Sequence, residues 1–194
     1  RVLVVGIIAM FGTSQIAANA IANNLDSLGV LPGQAMSLAI ITVIGRCVGA
    51  GDFSQAEYYA KKMMKIAYLI NGLCCLGVIL TLPLTLSLYG VTDEAREIGR
   101  LLVIIHSGCA ILFWPASFCL ANILRAANDV RFPMCASILS MVIFRIGFSY
   151  VLAVGMNMGA VGVWIAMVAD WIVRAACFIR RYMGGKWKTF YRAA

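Results

Sequence analysis

Charged side chains are costly inside apolar helices, so those that interrupt the apolar runs of this 194-residue chain are the first candidates for chemistry. Arg145 and Asp170 stand out. The turn between the two runs that carry them centres near Asn157, twelve residues after Arg145 and thirteen before Asp170. In an antiparallel helical hairpin they sit at nearly equal depth, about 18 Å of helix from the turn, and they pair if their faces agree. Arg174, one turn beyond Asp170, is placed to share the carboxylate or to snorkel toward a surface. Two roles are open to such a pair: a static clamp between the last two helices, or a carboxylate that exchanges protons or cations.

Uncharged polar residues form a second set. Asn19 and Asn23 are four apart and share a helix face, and Gln34 follows in the same run. An amide turned to lipid is penalised, so these three are expected to line a polar path. Asn71, alone in its apolar run, is expected to bond a neighbouring helix. His106, the only histidine, is expected to be a hydrogen-bonded packing residue rather than a relay. Pro32, Gly33 and Pro115 are hinge candidates: a proline frees a carbonyl and permits a bend, and Pro32-Gly33 should kink or break its helix. No nucleophile has a histidine and an acid at useful spacing, and the sequence holds no phosphate loop or metal-ligand spacing, so nothing points to an enzyme or a cofactor. The seven cysteines lie almost all in apolar runs and read as small packing residues.

The elements that position these residues follow from composition. The chain is 62% hydrophobic and 12% charged, about half the charged fraction of a soluble domain. The reading is an all-α, polytopic membrane helix bundle with five full spans plus one truncated span, in a single module over residues 1–194. Residues 2–11 read as the second half of a span, too short for the roughly 20 residues a bilayer requires, so the sequence is expected to begin inside a helix. Residues 12–15 read as a polar turn. The full spans are residues 16–50, 66–89, 101–124, 134–154 and 160–179. Residues 56–65 read as an interfacial amphipathic lead-in, and residues 180–188 as a basic, Trp-bearing tail.

Local signals mark the joints. Gly49 and Gly51 suit the positive φ of a helix end, and Asp52 suits the cap of the next helix. Thr92 suits a cap followed by Asp93 and Glu94 in the first turn, where the helix dipole favours negative charge. Gly45 and Gly49, four apart, are expected to let a neighbouring backbone come close. The net charge of +8 is distributed by loop. If the corner at residues 49–65 faces the cytoplasm, so do the 125–133 loop and the C-terminus. Those regions and their flanks hold twelve of the sixteen basic residues, the opposite side holds Arg96 and Arg100, and Arg1 and Arg145 fall within spans. The positive-inside rule selects that orientation, and the charge reads as membrane topology, not nucleic-acid binding.

Three stretches carry a family resemblance. Ala17-Ala18-Asn19, then Pro32-Gly33, then Gly45-Arg46-Cys47-Val48-Gly49-Ala50 resemble the second helix and cytoplasmic corner of the multidrug and toxic compound extrusion (MATE) transporters. Leu124-Arg125-Ala126-Ala127-Asn128-Asp129, followed by Pro133, resembles that family's Leu-Arg-Gly-x-Gly-Asp-x-x-x-Pro turn, with Ala126 and Asn128 replacing its glycines. Gly159-Ala160-Val161-Gly162-Val163-Trp164 and the basic tail resemble its last helix. The resemblance covers essentially the whole chain and identifies it as a C-terminal six-helix lobe, half of a twelve-helix, two-lobe transporter.

What the resemblance implies is export of cationic or amphipathic small molecules from the cell across the plasma membrane, in exchange for protons or sodium, with an N-terminal lobe of the same protein supplying the other cavity wall. It also implies a Met- and aromatic-lined cavity, to which Met36 and Trp114 are the expected contributors. The family's sodium-coupled branch carries an Asp about three turns before the Leu-Arg motif. That position is Trp114 here, so the ligand is absent. The family's other acids would lie before Arg1 or in the other half. Two rivals stand beside this reading. A lipid-linked precursor flippase of related fold would need a basic cavity. A structural membrane module would need rigid helices, against which Pro32, Pro83 and Pro115 speak.

Overall fold

Long runs of Leu, Ile, Ala and Val with rare charges leave the backbone one solution in lipid, hydrogen bonding within a helix. The computed structural model describes residues 2–190, and among them helices account for every regular element. In chain order they are α1 (Val2–Ala9), α2 (Thr13–Gly49), α3 (Phe53–Leu88), α4 (Asp93–Ala126), α5 (Arg131–Gly155) and α6 (Gly159–Met183), followed by a 3₁₀ turn at Lys186–Thr189. Helices α2 to α6 are each long and apolar enough to cross a bilayer. The protein is a multi-pass membrane protein. Arg1 and Arg192 lie outside the described residues.

Several boundaries differ from the sequence reading. Thr13, Ser14 and Gln15 belong to α2, and the turn is made by Gly12 at φ 98°. Helix α2 continues without a break through Pro32 and Gly33 for 37 residues, and α4 continues through Pro115. A proline costs one backbone bond, and packing of α2 against α3 and α4 holds the rest of the ladder. The amphipathic lead-in and the span after it form one helix, α3. Helix α5 is irregular where it looked regular. It is α-helical at Arg131–Ser140 but wound as wider π turns at Met141–Phe148 and Val151–Gly155.

The joints follow their sequence signals closely. Gly51 takes φ +74° while Gly49 stays helical, and Asp52 Oδ1 accepts a hydrogen bond from the Gln55 amide at 2.9 Å. Thr92 caps α4 through the Ala95 amide. Asn128 sits at φ 65°, which explains why a residue tolerant of left-handed backbone replaces glycine in that turn. The expected close approach at Gly45 and Gly49 does not occur: a Cβ on either would meet nothing within 4 Å. The tight contacts are at Gly33 and Gly162. A Cβ on Gly33 would fall 2.6 Å from the Trp114 ring, and one on Gly162 would fall 2.8 Å from the Leu152 carbonyl carbon.

The described core has two parts. One joins Ile40, Ile44 and Val48 of α2 to Ala56, Ala60, Ile123, Leu124 and Phe178. The other joins Ile8, Ala18, Ile21 and Ala22 to Leu102, Val103 and Trp164. Leu69, Leu73, Leu80 and Leu84 of α3 point outward, as a lipid-facing surface requires. The α2–α3 corner, the α4–α5 turn and the tail gather at one end of the bundle. There Trp187 packs against Phe53 and Tyr182, Lys188 pairs with Glu57 at 2.7 Å, and Arg181 holds Asp129 at 2.7 Å.

Candidate functional site

Helix α2 carries Asn19, Asn23, Asp26, Val30, Gln34 and Ser37 at steps of four, three, four, four and three. That spacing is one face of a helix. The face lines a cavity of about 810 Å³, walled opposite by His106, Trp114 and Phe118 of α4, Met141 and Arg145 of α5, and Met167 and Trp171 of α6. The volume lies in the range of small-molecule sites, which combine apolar walls with a few placed polar groups.

Six of the residues singled out in the sequence line this cavity: Asn19, Asn23, Gln34, His106, Trp114 and Arg145. Asn19 Oδ1 accepts from Trp164 Nε1 at 3.0 Å and from Asn23 Nδ2 at 3.0 Å, and Asn23 Nδ2 also donates to the Asn19 carbonyl at 2.7 Å. Trp114 stacks on Phe118 with centroids 4.8 Å apart. Gly33 does not line the cavity but gives the Trp114 ring its seat. Met36 packs into the core instead, and Met141 and Met167 supply the thioethers.

Asp170 stands behind the cavity wall, fully buried. Arg145 Nε and Arg174 Nη1 each lie 3.7 Å from its Oδ2, and the Ser140 hydroxyl donates to its Oδ1. The pairing of Arg145 with Asp170 is therefore present, with Arg174 as a third member. Arg174 also lies over the Phe118 ring at 4.7 Å, a cation–π contact that reaches the cavity's aromatic wall. Elsewhere Asn71 Nδ2 donates to the Ala110 carbonyl at 3.1 Å, joining α3 to α4.

The residue the sequence reading missed is Asp26. Its Oδ1 lies 2.6 Å from His106 Nδ1, so the lone histidine belongs to a carboxylate–imidazole pair at the cavity wall. Trp164 and Trp171 fix the imidazole, with ring centroids 4.6 and 4.3 Å away. The signal was available: Asp26 continues the Asn19–Asn23 face by three residues and precedes Gln34 and Ser37 on it.

Comparison with known proteins decides the family. A family model described as MatE matches residues 1–151, more than three quarters of the chain. The chain belongs to the MATE family. Its relatives include an uncharacterized transporter YisQ of Bacillus subtilis, 26% identical over 96% of this chain and 41% of that protein. A probable multidrug resistance protein NorM of Thermotoga maritima is 26% identical over 94% of this chain and 39% of its own length. Another NorM, of Neisseria meningitidis serogroup B, is 26% identical over 91% and 38%. The MATE chain thus spans about two fifths of the length of these relatives. No solved structure matches it.

Proposed function

We propose that this chain forms one lobe of a multidrug exporter, with the cavity beside α2 as its share of the transport path. The observation that carries the reading is the lining itself: aromatic and thioether walls around a carboxylate, three amides and a buried imidazole. Such a surface suits amphipathic cations, whose apolar bodies need aromatic faces and whose charge needs an acid. The names of the NorM relatives support drug export as the activity. A gradient of protons or sodium is the proposed driving force, with the coupled movement spread over helices that rock or bend about the lobe. We place the corner, the α4–α5 turn and the tail in the cytoplasm, and the protein in the plasma membrane, by the basic residues clustered at that end. Among the described lining residues Arg145 is the one basic side chain and Asp26 the one acid, so the basic lining a lipid-linked precursor carrier needs has little support.

Drug accumulation in cells expressing the full-length protein tests the reading. Gln34→Trp fills the cavity from an exposed wall position and breaks no side-chain hydrogen bond among the described residues. Leu80→Trp alters a position that points outward, 73% exposed. Accumulation should rise to the level of cells lacking the protein with the first and stay low with the second, at matched membrane expression. Efflux undiminished by Gln34→Trp would overturn the proposal.

A further inference from the structure

Among the described residues the α2 face carries a surplus of hydrogen-bond acceptors. Both Asn23 Nδ2 contacts go to Asn19, and Asn19 Oδ1 takes the Trp164 donor as well. Asp26 Oδ1 is held by His106 Nδ1, and the Asp26 side chain remains 18% exposed. Among the described residues two acceptors stay unspent, Asp26 Oδ2 and Asn23 Oδ1, and His106 Nε2 is buried without a partner. Asp26 and Asn23 are one helical turn apart, and both line the cavity. Arg145, the basic lining residue, faces Asp170.

We propose that Asp26 and Asn23 form a subsite for the N–H group of a protonated amine, with His106 as the residue that positions Asp26. The assignment rests on the transport reading above and narrows its substrate class. A surplus of acceptors beside a carboxylate is complementary to a ligand that brings both positive charge and a hydrogen-bond donor. A quaternary ammonium brings the charge without the donor. Its methyl groups also keep the nitrogen from the 2.7–2.9 Å approach of a charge-assisted hydrogen bond, which is roughly twice as strong as a neutral one. The aromatic walls attract both kinds of cation, so discrimination falls to the acceptors.

The test is direct binding to the detergent-purified full-length protein. The probes are a fluorescent tertiary amine, protonated at the assay pH, and its N-methylated quaternary analogue. The wild type should bind the protonated amine about tenfold to a hundredfold more tightly, the range expected of one hydrogen bond to a charged group. Asp26→Asn should bring the two affinities within about twofold. Asp26→Glu, which keeps the charged acceptor, should retain the preference and show that the fold tolerates change there. His106→Ala should lose most of the preference and His106→Asn, which restores an N–H near the Nδ1 position, should recover it. Equal affinities in the wild type, or a preference that survives Asp26→Asn, would overturn the subsite while leaving the transport reading intact. Binding of neither probe would overturn both.

Discussion

Asp26 of α2 and His106 of α4, 80 residues apart in sequence, meet at 2.6 Å and join the two helices at the cavity wall. The imidazole is 1% exposed, so its donor is committed to one partner. His106→Phe keeps a ring between Trp164 and Trp171 but removes that donor. Thermal unfolding of the purified protein should show a loss of about 1–2 kcal/mol, because Asp26 retains some contact with solvent. An unchanged melting temperature would mean that the pair holds nothing together.

The Asp170 carboxylate is the common partner of two guanidinium groups in the wall between α5 and α6. Removing it takes the shared carboxylate from two guanidinium groups whose side chains are 31% and 12% exposed. Asp170→Ala should destabilise the protein by about 3–5 kcal/mol, the range for breaking one side of a buried ion pair. Ser140→Ala, which deletes one hydroxyl donor to the same carboxylate, should cost about 1 kcal/mol. Melting curves of the two variants at equal detergent concentration check the order.

Glycine substitutions separate the expected helix contact from the observed one. Gly162→Ala puts a methyl 2.8–2.9 Å from the Leu152 carbonyl carbon and the Ala153 nitrogen, backbone atoms that cannot turn aside. It should cost about 1–3 kcal/mol through overpacking. Gly45→Ala meets nothing within 4 Å in a helix interior and should stabilise by about 0.5–1 kcal/mol. Opposite signs in paired unfolding measurements are the expected outcome.

The tail is fastened by burial rather than by charge. Trp187 is 1% exposed, stacked nearly parallel on Tyr182 and tilted against Phe53 at the start of α3. Trp187→Ala should cost about 3 kcal/mol and make the chain beyond Met183 readily cut by protease. Lys188→Ala removes a solvent-accessible ion pair with Glu57 and a cation–π contact over Trp187, both weak at an exposed site, and should change the cleavage rate far less than Trp187→Ala does.

Much of the fold was legible because lipid simplifies the rules. Hydropathy located all five full spans, and the caps at Asp52 and Thr92 formed as their side chains dictate. Counting residues from the turn named Arg145 and Asp170 as partners, although the π turns of α5 between Arg145 and Gly155 depart from the α-helical rise that the count assumes. What local rules describe less well is where helices touch. Gly45 and Gly49 have the spacing of a contact face, yet the contacts formed at Gly33 and Gly162, where larger neighbours happened to need the room. Pro32 had the chemistry of a break, but tertiary packing carried the helix through it. The site was half legible. The Asn19, Asn23 and Gln34 face follows from period alone, whereas His106 acquires its meaning from a carboxylate on another helix.

Transport by the purified full-length protein in liposomes tests the central claim most directly. Uptake of a protonated organic amine would be measured with an imposed proton gradient, with a sodium gradient, and with neither, for the wild type and Gln34→Trp. The account predicts gradient-dependent uptake in the wild type and none in the variant, because the added ring fills the cavity that the α2 face lines. Wild-type liposomes that show no gradient-dependent flux, or a variant that transports as well as the wild type, would contradict it.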